Sequence, residues 1–234
     1  ICGDRECSIQ RRHQKLVEEA PAPNLPDATR DAMHAACEEA VRVWGYRSAG
    51  TLEFLVDDEG GFYFLELNAR LQVEHPVTEL VTGLDLVAEQ LRVADGGLLS
   101  ATGRATVRGA AIECRLNAED PAYDFRPGAG RIDEFVMPAG PGVRVDTHVS
   151  PGVRVPPDYD SLLAKLCVWA PDRDKAVARL QRALGEAEVT GIPTTLPLLR
   201  DIAAEERFGA GRYNTAYLVD RAEHLPSLVP ERAA

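Results

Sequence analysis

The sequence predicts an α+β protein in which helices accompany a mainly antiparallel sheet. Two strand-like runs, 51–57 and 62–67, flank the turn residues Asp58, Glu59, Gly60 and Gly61 and so predict a hairpin. Apolar residues recur at helical spacing over 26–44 and again over 172–184. Beyond residue 106 the chain changes to short strand-like runs separated by Pro and Gly, the texture of an antiparallel sheet.

Taken in order, 5–15 (RECSIQRRHQK) reads as one strand with charge on both faces. Period two puts Arg11, His13 and Lys15 on one side and Gln10, Arg12 and Gln14 on the other. Taken alone, that is a solvated edge strand guarded by charge. Pro21, Pro23 and Pro26 make a rigid connector. A helix follows to Trp44, with Pro26 and Asp27 suited to its first turn and Gly45 to its end. Met33, Ala36, Cys37, Ala40, Val41 and Trp44 form its expected core face. His34 reads as an exposed helix residue, because nothing four positions away helps it bind metal.

A second helix is expected over 85–95, ended by Gly96 and Gly97. The small, polar stretch around 97–106 is the candidate domain boundary. Strands are expected over 107–117, 130–135, 142–149 and 162–169. Asp172 can cap the helix over 172–184. Short helices follow at 195–204 and 215–222, and 223–234 reads as a tail.

The hairpin carries the chemistry. A two-residue loop at Glu59–Gly60 pairs residues whose numbers sum to 119, which sets Glu53 opposite Glu66. Both lie among apolar neighbours, Leu52, Phe54 and Leu55 on one strand and Phe64, Leu65 and Leu67 on the other. Like charges directly opposite destabilise a sheet, and a buried unpaired carboxylate costs more still. A hard divalent cation between them removes both problems, and Mg²⁺ takes one or two carboxylates plus substrate phosphates. Asn68 shares the strand face of Glu66 and can give a third oxygen. The plainer alternative is an exposed hairpin edge with two solvated glutamates. Next, Arg70, Gln72 and Glu74 alternate with Leu71 and Val73. An extended segment there would turn a guanidinium, an amide and a carboxylate to one side. That set suits a small planar anion with a base beside it.

The net charge of −11, from 26 basic and 37 acidic residues, argues against general nucleic-acid binding. No apolar run approaches the ~20 residues of a membrane span, and no signal peptide opens the chain. The five cysteines are scattered without a CxxC pair, which points to reduced thiols in the cytoplasm rather than a disulfide or zinc framework.

Three motifs, FLELNARLQVEHPVTE (64–79), RECSIQRRHQKLVEEAPAP (5–23) and ECRLNAEDP (113–121), resemble the signatures of biotin carboxylases, the ATP-grasp component of biotin-dependent carboxylases. The resemblance implies the C-terminal part of an ATP-grasp domain at 1–96, a linker at 97–106, a biotin carboxylase C-terminal domain at 107–222 and a tail at 223–234. It implies ATP- and Mg²⁺- (or Mn²⁺-) dependent carboxylation of biotin by bicarbonate through carboxyphosphate. The biotin would be borne on a biotin carboxyl carrier protein. The setting would be a homo-oligomeric acyl-CoA carboxylase with a carboxyltransferase partner.

By the same resemblance, Gln10, His13, Lys15, Glu53, Leu55 and Glu66 serve ATP, and Glu53, Glu66 and Asn68 hold the metal. Lys15, Arg70, Gln72, Val73 and Glu74 hold bicarbonate, Glu74 is its base, and Arg115 stabilises the biotin enolate. Asp160 is expected to orient Arg115. Ala69, Arg126 and Pro141 depart from the family's usual residues, and Pro141 stands where some members place an aromatic in a dimer contact. The family's N-terminal domain and glycine-rich ATP lid have no counterpart in this sequence. The chain alone is therefore expected to lack turnover, and a non-catalytic assembly piece is the alternative.

Overall fold

The computed structural model describes residues 1–230. They form two compact units that do not follow the chain in order. The first joins Ile1–Glu6 to Ala20–Arg108, and the second joins Cys7–Glu19 to the chain from Gly109 onward.

The stretch 5–15 is not one strand. β1 (Glu6–Arg11) and β2 (Gln14–Ala20) are neighbours in a sheet, joined by a turn at Arg12 and His13. These two residues take φ of 46° and 63°. Two left-handed residues in a row give the turn whose twist suits a tight hairpin, a role usually taken by Asn-Gly. Neither residue type is present here, so no local signal marks the turn. The turn breaks the alternation that placed Arg11, His13 and Lys15 on one face. Arg12 is ion-paired with Asp124, and Arg11 lies over the Phe125 ring, 5.8 Å from its centre.

In the first unit, α1 (Asp27–Trp44) ends at Gly45, which is left-handed at φ 59°. The amide of Tyr46 reaches back to the Val41 carbonyl at 3.0 Å. Its expected core face is half-buried at Met33, Cys37, Ala40 and Val41 and exposed at Ala36 and Trp44, the latter by 53%. His34 is not the exposed residue expected. Its side chain is mostly covered, with Nε2 3.6 Å from Asp4, and burial lowers its pKa more than Asp4 raises it.

β3 (Thr51–Val56) and β4 (Phe62–Asn68) pair antiparallel, as the hairpin reading expects. The loop differs: Asp57 N bonds Gly61 O at 2.9 Å, leaving Asp58, Glu59 and Gly60 as a three-residue loop. Gly60 has φ 84°, and a Cβ there would come 2.8 Å from Thr29 Oγ1. The near strand positions pair accordingly, Val56 with Phe62 and Phe54 with Phe64. A bulge then shifts the register, so that Glu53 does oppose Glu66 and Thr51 opposes Asn68.

α2 (His75–Thr82) begins directly after the segment expected to be extended. Pro76 in its first turn and Gly83 after its last are its sequence signals. α3 (Leu86–Ala94) is capped by Asp85, which accepts from Ala88 N at 2.8 Å. The 97–106 stretch is tied to this same unit: Arg104 bonds Asp31 and Glu38, and the Ile1 ammonium bonds Gly103 O at 2.8 Å.

The second unit is built on a sheet of order β1-β2-β5-β12-β10. β5 (Ala110–Asn117) is followed by the two-residue strands β6 (Glu119–Asp120), β7 (Arg126–Pro127), β8 (Gly130–Arg131) and β9 (Phe135–Val136). Then come β10 (Val143–Thr147), β11 (Arg154–Val155) and β12 (Leu162–Ala170). β12 runs antiparallel to both β5 and β10. The strand expected at 130–135 is thus interrupted, and the one expected at 142–149 is shorter.

α4 (Arg173–Glu186) begins at Asp172, which accepts from Lys175 N as expected. β13 (Glu188–Val189), α5 (Leu196–Ala204), α6 (Glu206–Gly209) and α7 (Tyr217–Asp220) complete the unit. Ile9, Leu16, Ile112, Leu116, Leu180, Leu198, Ile202 and Phe208 share its core. The expected tail is not loose through its described part. Leu225 is fully buried, and Ser227 bonds Asp201 through both its amide and its hydroxyl. Residues 231–234 of that expectation lie outside the described residues. No described helix is long and apolar enough to cross a membrane.

Candidate active site

In the first unit the hairpin brings its two glutamates onto one amide. Asn68 Nδ2 donates to Glu66 Oε1 at 2.7 Å and to Glu53 Oε1 at 3.2 Å. Gln72 Nε2 adds a bond to Glu53 Oε1 at 2.7 Å, and Arg70 Nη2 reaches Asn68 Oδ1 at 3.2 Å. Glu53, Glu66, Asn68, Arg70 and Gln72 are therefore one connected cluster.

The expectation of two buried carboxylates needs correction. Glu53 is half-buried and Glu66 exposed, so water and the amides soften their repulsion. Leu55, expected in the ATP set, is 53% exposed on β3.

The segment after Asn68 is not an extended strand. Val73 and Glu74 form a turn that leads into α2, with His75 N bonded to Gln72 O at 3.2 Å. Gln72 and Glu74 are buried, at 6% and 2% exposure, while Arg70 is exposed. The turn, not strand alternation, positions Glu74.

A hard divalent cation suits two opposed carboxylates. Those two donors fit as they stand. Asn68 offers its nitrogen to them and would ligate only with its amide turned about. Among the described residues, no group of three or more His, Cys, Asp or Glu side chains could hold a metal ion, so an amide donor is needed to reach three ligands.

In the second unit, Gln10 is half-buried with Nε2 on Cys7 O at 2.9 Å, His13 is exposed at the turn, and Lys15 is half-buried at the start of β2. Arg115, on β5, is held by Glu18 on β2: Nε at 2.6 Å and Nη2 at 2.5 Å from the same oxygen. Asp160, expected to orient Arg115, instead accepts from Leu162 N at 2.8 Å. Sequence reasoning missed Glu18, because only pairing of β2 with β5 reveals it.

Behind this pair, Glu113 is fully buried and accepts from Cys167 Sγ at 3.3 Å. Burial, then the nearby Glu18, pushes its pKa well above the usual carboxylate value and favours the neutral acid. Burial likewise raises the Cys114 and Cys167 thiols, which keeps them inert.

The first unit thus carries a hairpin with paired carboxylates, and the second carries a buried Arg–Glu pair on its sheet. Residues 113–220 match the Biotin carboxylase C-terminal domain, and residues 1–102 match the Carbamoyl-phosphate synthase L chain, ATP binding domain. Over most of its length the chain is similar to biotin carboxylases.

It is 52% identical over 217 residues to a biotin carboxylase of Nostoc sp., covering 92% of this chain and 48% of that protein. It is 51% identical over 224 residues to a chloroplastic biotin carboxylase of Arabidopsis thaliana, covering 95% and 42% respectively. Among solved structures, the biotin carboxylase domain dimer of Hydrogenobacter thermophilus 2-oxoglutarate carboxylase is 43% identical, with a TM-score of 0.93. That match covers all of this chain and 51% of the other, which was solved with MgADP, ADP and bicarbonate. The chain spans about half the length of the curated relatives it matches.

Proposed function

We propose that this chain supplies the metal, bicarbonate and biotin-activating residues for ATP-dependent carboxylation of biotin. The observation that carries this reading is the amide of Asn68 shared by Glu53 and Glu66, with Gln72 and Arg70 on the same cluster. Glu53, Glu66 and Asn68 would hold Mg²⁺ or Mn²⁺, which when bound neutralises charge on the ATP phosphates. Gln10, His13, Lys15 and Leu55 would serve the nucleotide. Lys15, Arg70, Gln72 and the Val73 amide would hold bicarbonate.

Glu74 takes the bicarbonate proton, and the freed oxygen attacks the γ-phosphorus, releasing ADP and forming carboxyphosphate. Carboxyphosphate breaks to CO₂ and phosphate. Phosphate takes the N1′ proton of biotin, and N1′ attacks CO₂. Arg115 stabilises the enolate oxygen that develops on the ureido group.

The substrate biotin would ride on a carrier protein or domain, and a carboxyltransferase partner within an acyl-CoA carboxylase would take the product. A homo-oligomer in the cytoplasm is the proposed setting. The test is phosphate release by a full-length enzyme that contains this chain, with ATP, Mg²⁺, bicarbonate and free biotin. Dependence on all four supports the reading, and release indifferent to bicarbonate overturns it.

A further inference from the structure

Arg5 enters none of the roles above, yet its guanidinium sits at the centre of the first unit's polar cluster. Nη2 donates to Gln72 Oε1 at 2.6 Å and to Thr51 Oγ1 at 3.0 Å, and Nη1 donates to Thr78 Oγ1 at 2.9 Å. One side chain thus ties β3, the turn before α2, and α2 itself. We infer that Arg5 is a positioning residue that locks the Gln72 amide in the orientation needed to bind an anion. The inference rests on the reading that Gln72 holds bicarbonate.

A guanidinium has only donors, and an ionised carboxylate only acceptors. Gln72 lies between the two, with Oε1 on Arg5 and Nε2 on Glu53 Oε1 at 2.7 Å. Turning the amide over would set its carbonyl oxygen against Glu53 and its NH₂ against Arg5, which is unfavourable at both ends. The NH₂ has two N–H groups, one engaged by Glu53. The other is the donor an anion would take. Gln72 is 6% exposed, so water cannot take over the task of Arg5. Without Arg5, the carbonyl end is released and can turn toward the carboxylates. There it would repel an anion and offer a further oxygen to a cation.

This gives opposite signs for the two ligands, which a merely structural arginine would not. In a full-length enzyme that contains this chain, Arg5→Met should raise the bicarbonate concentration for half-maximal rate by about tenfold, since it removes a charge-assisted bond to a buried group. The ATP requirement should stay within about twofold, as only the anion donor is disturbed. Mn²⁺ binding, read by electron paramagnetic resonance without ATP or bicarbonate, should tighten.

Arg5→Lys keeps the charge but not the fork, and should restore only part of the bicarbonate response. Gln72→Met should cost about as much alone as with Arg5→Met, because both act through one amide. Additive losses, or equal weakening of bicarbonate and Mn²⁺, would overturn the assignment. Wild-type protein without bicarbonate-dependent turnover would overturn the functional reading instead. The Mn²⁺ measurement needs no turnover and still decides the role of Arg5.

Discussion

Arg115 and Glu18, 97 residues apart in sequence, meet through two bonds to one carboxylate oxygen on the second unit's sheet. The Glu18 side chain is fully buried and that of Arg115 is 16% exposed. Removing one partner of such a pair leaves an uncompensated charge. Arg115→Met should therefore destabilise by about 3 kcal/mol, the low end for breaking a buried pair. Glu18→Gln combined with Arg115→Met should recover most of the loss. Urea denaturation of the three variants checks this. A loss below about 1 kcal/mol for Arg115→Met would mark the pair as no better than a surface one.

Glu113 gives a pH prediction. Its folded pKa is raised by burial and by Glu18, while the unfolded value lies near the ordinary 4.5. Its contribution is therefore fully present below pH 4.5 and lost as pH rises toward the folded pKa, because the unfolded state ionises first. Glu113→Gln removes this titration. Relative to wild type, the variant should gain stability as pH rises from about 5 toward the folded pKa of Glu113, by about 1.4 kcal/mol per unit at most. Parallel stability curves for the two proteins across that range would show that Glu113 does not stay neutral.

Sequence and structure agree where local signals are strong and part where tertiary contacts decide. Gly45, Asp85 and Asp172 mark helix ends, and each ends or caps the helix expected. The hairpin register is more instructive. The loop is one residue longer than expected, yet the bulge before Glu66 restores the Glu53–Glu66 pairing. Arg12 and His13 hide a turn because the left-handed backbone there is accompanied by contacts of Arg12 to Asp124 and of Arg11 to Phe125, far along the chain. Arg5 and Glu18 are illegible for the same reason: their partners lie 46 to 97 residues away.

Glu74 tests the base assignment. It is buried where the turn enters α2. In a full-length enzyme that contains this chain, Glu74→Gln should lower the maximal rate by about 10²–10⁴, the usual worth of a general base. Nucleotide affinity should stay near wild type, because the amide keeps the shape. A variant that retains half its rate at saturating bicarbonate would move the base elsewhere.

The two hairpin glutamates give the last prediction. Each accepts from Asn68, so a glutamine at either position can still offer one oxygen to that amide. Without metal, Glu53→Gln and Glu66→Gln should be neutral or stabilising by about a few tenths of a kcal/mol, since one of two opposed like charges is gone. Asn68→Ala should do the reverse and lower the melting temperature, because it leaves the carboxylates facing each other unbridged. With Mg²⁺–ATP, wild type should gain stability by mass action, and both Glu→Gln variants should gain less. A merely structural pair would behave otherwise, losing stability without ligand and responding to Mg²⁺–ATP as wild type does. Thermal melts of the four proteins with and without Mg²⁺–ATP separate the two cases, and a wild-type response in both variants would remove the metal from this hairpin.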